Sequence, residues 1–215
     1  MTEQLIMSIS GVRGIVGENL TDSIAADYGR AFGMFLKNKY AAKNQRLSVC
    51  PVRGTKISNG VCIGRDTRPS GEMLKSAVIE GLSSVGIDAI DLGVVSTPGV
   101  SVMVRQLCCA GGVIITASHN PAQYNGIKVL LDNGMAPPAD AAGQIKQHFF
   151  DKRFTLVNST NRGKVTSNDQ TDDVHIAKVL AIINKKIITF RPMYLAGSIN
   201  GKKLNDAFVY LIDIV

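Results

Sequence analysis

Short apolar, β-branched runs alternate with helix-period segments between residues 61 and 150, and this alternation constrains the fold more than any other feature of the chain. Val61-Cys62-Ile63, Ile87 to Leu92, residues 112–117 and Ile127 to Leu131 each read as a strand. Between them, Leu74, Ala77, Val78, Gly81, Leu82 and Val85 fall at three- and four-residue steps behind a candidate cap, Ser70. Residues 97–109 predict another helix, with Pro98 in its first turn, and a further one closes the unit near 138–150. Upstream, 21–39 is an amphipathic helix capped by Thr21-Asp22, with Ile24, Tyr28, Ala31, Phe32 and Phe35 on one face. Strands and helices in this order predict an α/β sandwich with a largely parallel sheet. Ligands of such sheets gather beyond the carboxyl ends of the strands.

At 215 residues the chain has room for one large domain, or one complete domain and part of another. With 45% hydrophobic and 19% charged residues it has the material for a core. The net charge of +7 is spread out, and Lys185-Lys186 and Lys202-Lys203 are only pairs, so no phosphate-backbone stripe forms. Tryptophan is absent and aromatics are scarce, which removes base-stacking platforms. No nucleic-acid partner is expected; mild basicity fits a solvated surface or small anionic substrates. Cys50, Cys62, Cys108, Cys109, His119, His148 and His175 show no zinc spacing, and Cys108-Cys109 read as small buried packers. The start of the chain lacks the regions of a signal peptide and no run is long enough to span a bilayer, so a reduced cytoplasmic location is expected.

Residues 41–60 are basic, polar and glycine-rich, and read as a surface insertion. Residues 158–171 read as a linker or turn-rich crossing. Beyond them lie a helix at 171–186, a strand at Met193-Tyr194-Leu195 and the apolar segment Phe208 to Ile212, too few elements for a core of their own. The expected division is therefore 1–157 and 158–215.

Three segments carry chemistry. Gly11-Val12-Arg13-Gly14-Ile15-Val16-Gly17 lacks the spacing of a dinucleotide fingerprint; it is either a plain turn or a ligand loop in which Arg13 forks onto a phosphate. Gly64-Arg65-Asp66-Thr67-Arg68-Pro69-Ser70-Gly71 sets a carboxylate between two arginines where a strand meets a helix, most simply an ion-pair and capping cluster. Thr116-Ala117-Ser118-His119-Asn120-Pro121 ends a buried strand in an exposed loop bearing a serine. It is no hydrolase elbow, because G-x-S-x-G is missing and adjacent side chains on an extended loop point apart. Asn120-Pro121 stiffens the loop, and Asn125-Gly126-Ile127-Lys128 returns to the sheet with a lysine able to neutralise charge or take a proton.

With Ser10-Gly11-Val12-Arg13-Gly14, Gly64-Arg65-Asp66-Thr67-Arg68, the Ser118 segment and Asn125-Gly126-Ile127-Lys128 in this order, the chain resembles the α-D-phosphohexomutases: phosphoglucomutases, phosphomannomutases and phosphoglucosamine mutases. The resemblance is close over about 5–150 and loose over 160–215. It implies a three-layer α/β/α sandwich with a mixed, largely parallel sheet, followed over 158–215 by the start of a similar second domain. It also implies that Ser118 is a phosphoserine carrier that passes phosphate between C1 and C6 of a hexose or hexosamine phosphate, through a hexose 1,6-bisphosphate. Lys128 is then the general acid/base, Arg13 a partner of the reacting phosphate, and His119 and Asn120 shape the loop against the substrate. Magnesium is expected in the complete enzyme, with Ser118 a ligand through its phosphate. The Asp-rich metal run is absent here, since Asp169, Asp172 and Asp173 lack its spacing, and so are the sugar-selecting and phosphate-clamping loops. Turnover by these residues alone is not expected; the alternative is a non-catalytic truncated remnant or a sugar-phosphate-binding fragment.

Overall fold

The structure, a computed structural model, describes residues 4–41, 58–182, 198–199 and 202–203. The chain forms two compact units, Met1–Ala177 and Lys178–Val215. In the first, β3 (Gly60–Arg65), β4 (Asp88–Val94) and β5 (Gly111–Ile115) run parallel, with β3 between the other two. Val61, Cys62 and Ile63 are fully buried, because helices cover both faces of β3; hence the unbroken apolar run in the sequence. β6 (Tyr124–Leu131) lies antiparallel beside β5, β2 (Gly11–Ile15) antiparallel beside β6, and β1 (Ile6–Ser8) beyond it. β7 (Val165–Ser167) joins the opposite edge, parallel to β4, giving the order β1-β2-β6-β5-β3-β4-β7. The sheet is mixed: parallel from β5 to β7 and antiparallel from β1 to β5.

One face carries α1 (Asp22–Ala41), α2 (Gly71–Ser84) and α4 (Ala139–Asp151), whose apolar stripes bury Phe32, Leu36, Leu74, Leu82 and Ile145 against Ile63, Ile115 and Ile127. Each fully buried side chain of this size contributes about 1.5–3 kcal/mol of transfer free energy. On the other face α3 (Thr97–Gln106) packs Val100, Met103 and Val104 onto Cys62, Ile114 and Leu130. Pro98 sits in its first turn as expected, and the Ser96 side chain accepts a hydrogen bond from the Gly99 amide. The helix ends before residue 109 because Cys108 turns left-handed, with φ +56°. Cys109 is a free, buried packer with its sulfur 3.4 Å from that of Cys62, whereas Cys108 is disulfide-bonded. Both adjacent cysteines are buried as expected, Cys108 at 6% and Cys109 at 0% exposure.

Three further expectations are corrected. Gly11–Ile15 is a strand and not a turn; the turn follows over residues 17–19, and Gly17 carries φ +84°. Ser70 stands before α2 but makes no side-chain cap, and its hydroxyl instead accepts from Asn125 Nδ2 at 2.9 Å. The 158–171 stretch does more than cross the surface, since it supplies β7. α5 (Thr171–Ile182) starts where the sequence predicts a helix. In the second unit β8 (Ser198–Ile199) and β9 (Lys202–Lys203) pair antiparallel. Most of the 41–60 insertion, the predicted strand at 193–195 and the apolar 208–212 lie outside the described residues. No helix among the described residues is long and apolar enough to cross a membrane.

Candidate active site

Because β3 and β5 are parallel neighbours, the loops leaving their carboxyl ends meet. One carries Asp66 and Arg68, the other Ser118. The Asp66 amide bonds the Ile115 carbonyl at 3.0 Å, which joins the two loops at their base. Thr116 then links them by its side chain: Oγ1 donates to Asp66 Oδ2 at 2.7 Å and accepts from the Ser118 amide at 3.0 Å.

Ser118 is exposed at the loop tip with φ +55°. That left-handed conformation disfavours a residue with a Cβ by roughly 1–2 kcal/mol, and it persists where the surroundings over-determine it. It also overturns the expectation that Ser118 and His119 point apart, since Ser118 Oγ lies 3.4 Å from His119 Nδ1. Asn120 folds its side chain back, donating from Nδ2 to the Ala117 carbonyl at 2.6 Å, while the Tyr124 amide closes a turn on the Pro121 carbonyl at 3.0 Å.

Arg68, expected only as part of an ion-pair and capping cluster, reaches into the serine loop. Its Nη1 donates to the carbonyls of Pro121 (2.9 Å) and Tyr124 (3.1 Å), and its Nη2 to those of Ser118 (2.9 Å) and Asn120 (2.7 Å). Its Nε pairs with Asp66 Oδ2 at 3.2 Å, and its amide with Asp66 Oδ1 at 3.0 Å. The expected carboxylate between two arginines is thus half right, because Arg65 pairs with Glu72 and touches Asp66 only at the backbone carbonyl. The charge-dense strand–helix junction was the available signal; its destination was set by strand order.

Arg13 and Lys128 lie on neighbouring antiparallel strands, Arg13 opposite Gly126 and Lys128 opposite Gly11. Val12, Ile127 and Val129 point into the main core, so both cations project from the other face of the sheet, beside α3. Both are half-buried, and neither side chain has a hydrogen-bond or ion-pair partner among the described residues. The Thr116 amide bonds the Gly126 carbonyl at 3.0 Å, which sets the root of the serine loop next to Arg13's strand partner. Asn125 is structural: fully buried, it donates to Ser70 Oγ and accepts from the Gly126 amide at 2.8 Å. Asn125→Leu is expected to cost about 2 kcal/mol in urea unfolding, by stranding these groups without partners.

A magnesium ion does not fit the protein groups present. Among the described residues no three His, Cys, Asp or Glu side chains gather, and the carboxylate nearest the loop, Asp66, is committed to Thr116 and Arg68.

Residues 5–156 match the family model for phosphoglucomutase/phosphomannomutase, alpha/beta/alpha domain I. The chain belongs to the phosphoglucomutase/phosphomannomutase family. It is 39% identical over 159 residues to a phosphoglucomutase/phosphomannomutase of Thermococcus kodakarensis, covering 74% of this chain and 32% of that protein. It is 40% identical over 159 residues to a phosphoglucosamine mutase of Limosilactobacillus reuteri, with the same two coverages of 74% and 32%. A crystal structure of a phosphoglucomutase/phosphomannomutase family protein from Burkholderia thailandensis superposes with a TM-score of 0.64 at 25% identity, over 83% of this chain and 37% of that one. A structure of a Thermus thermophilus protein, 24% identical with a TM-score of 0.65 over 86% of this chain and 38% of that one, shares the fold. The chain spans about a third of the length of the curated relatives it matches.

Proposed function

We propose that this chain carries the phosphoryl-transfer serine of a phosphohexomutase acting on a hexose or hexosamine phosphate. The observation that carries the reading is Ser118, exposed and left-handed on a fully braced loop, beside a sheet face bearing two cations that have no partner among the described residues. Phosphoryl transfer depends on positioning and charge neutralisation, and those are what this arrangement supplies.

In the reaction, Ser118 Oγ attacks a phosphorus of a hexose 1,6-bisphosphate; the Oγ–P bond forms as the P–O bond to the sugar breaks. Lys128 Nζ takes the hydroxyl proton from Oγ and passes it to the departing sugar oxygen. In the reverse step the hydroxyl of a hexose monophosphate takes the phosphoryl group and Oγ recovers its proton. Arg13 neutralises charge on the phosphate in flight, while His119 and Asn120 hold the loop. The end of the family match at 156 supports a division near 157, the sequence beyond it lending β7 to the first unit's sheet before a second domain begins. Magnesium and the remaining substrate contacts belong, in this reading, to parts of the family's length that this chain does not span.

Two measurements on the 215-residue chain test this. Charged with phosphoryl from a hexose 1,6-bisphosphate, it is expected to discharge to an added hexose monophosphate; failure to discharge contradicts the mutase assignment. In a coupled isomerisation assay the chain alone is expected to show no steady turnover, and normal rates overturn that part.

A further inference from the structure

We infer that Arg68 is the positioning residue of the serine loop, holding Ser118 in its left-handed conformation without touching the substrate. The inference rests on reading Ser118 as the phosphoryl carrier. It begins from a count of donors. A guanidinium has five N–H groups. In Arg68, Nε serves Asp66, Nη1 serves Pro121 and Tyr124, and Nη2 serves Ser118 and Asn120. All five are spent on the protein itself, so none remains for a phosphate. Arg13, with no side-chain partner among the described residues, is the opposite case.

The acceptors explain the role. Four carbonyls from Ser118 to Tyr124 converge on one planar cation, which requires the loop to curl around the guanidinium. Because a trans peptide sets C=O and N–H in opposite directions, fixing the Ser118 carbonyl also fixes which way the His119 amide points. The Ser118 amide is held separately through Thr116 and Asp66, and Asp66 in turn orients Arg68. Ser118 is thus gripped on both sides of its Cα, and its positive φ follows from that double restraint. The Arg68 side chain is 13% exposed, so water is a poor replacement for it. Lysine carries three donors from a single nitrogen and does not reproduce a planar fork reaching four carbonyls.

The test compares wild type with Arg68→Lys, which keeps the charge. Phosphoryl uptake from hexose 1,6-bisphosphate is followed by intact mass over a range of donor concentrations. The maximum rate is expected to fall about 100-fold, the scale of a displaced reacting group. The half-saturating donor concentration is expected to stay put, because Arg68 has no donor left for the ligand. Hydrogen exchange should quicken at the Ser118 and Tyr124 amides and remain unchanged along β3 and β5. Equal uptake rates with equal loop protection overturn the inference, as does a change confined to half-saturation. If wild type takes up no phosphoryl group, the carrier reading fails, and exchange at Ser118 and Tyr124 still decides whether Arg68 sets the loop. Should Arg68→Lys not fold, Arg68→Gln is read by the same two measurements.

Discussion

Ser118→Ala is expected to abolish phosphoryl uptake while leaving the thermal unfolding of the chain within about 1 kcal/mol of wild type. Ser118 is exposed at the loop tip, so no packing is lost. Alanine also carries a Cβ, so the strain of φ +55° is neither relieved nor increased. The nearest alternative hydroxyl cannot take over: Thr116 is 8% exposed, and its oxygen both donates to Asp66 and accepts from the Ser118 amide. Ser118→Gly separates strain from chemistry. Glycine adopts this φ freely, so the loop should be at least as well ordered, yet uptake is again lost. Intact mass after incubation with a hexose 1,6-bisphosphate reads both variants; uptake by either removes Ser118 from the mechanism.

The second large effect concerns stability. Gly11→Ala is expected to destabilise the first unit by about 4 kcal/mol or more, at the upper end of single-residue effects. Gly11 has φ +142°, and a Cβ there would collide with the Ile127 carbonyl oxygen on the adjacent strand. That contact is backbone against backbone, so no rotamer relieves it. β2 would have to leave β6, and Arg13 would leave the site with it. Urea unfolding with near-wild-type stability would show that Gly11–Ile15 is not packed as a central antiparallel strand.

These two residues also mark where the sequence was readable. The helices at α1, α2 and α4 and the buried strands β3 and β5 were legible because burial imposes a period of 3.6 on the first group and an unbroken apolar run on the second. β2 was not, because two of its five residues are glycines, which strands ordinarily avoid; the close approach to Ile127 that demands glycine at Gly11 exists only after β2 has paired with β6. β1 and β7 are three-residue edge strands with most positions exposed, leaving no apolar run to read. At the candidate site, Asn120-Pro121 announced a loop, and the residue types at Arg13, Ser118, His119 and Lys128 announced chemistry. The left-handed turn at Ser118 was hidden, since serine is not a residue such turns select. So was Arg68's role, which depends on β5 lying next to β3, a fact of topology that no local pattern encodes.

The central claim is that Ser118 accepts a phosphoryl group from a sugar bisphosphate. Incubating the 215-residue chain with hexose 1,6-bisphosphate and locating the added phosphoryl group by peptide fragmentation tests it most directly. The expected result is one phosphoryl group per chain, on Ser118, removed when hexose monophosphate is added. A chain that gains none, or gains it on another residue, contradicts the account.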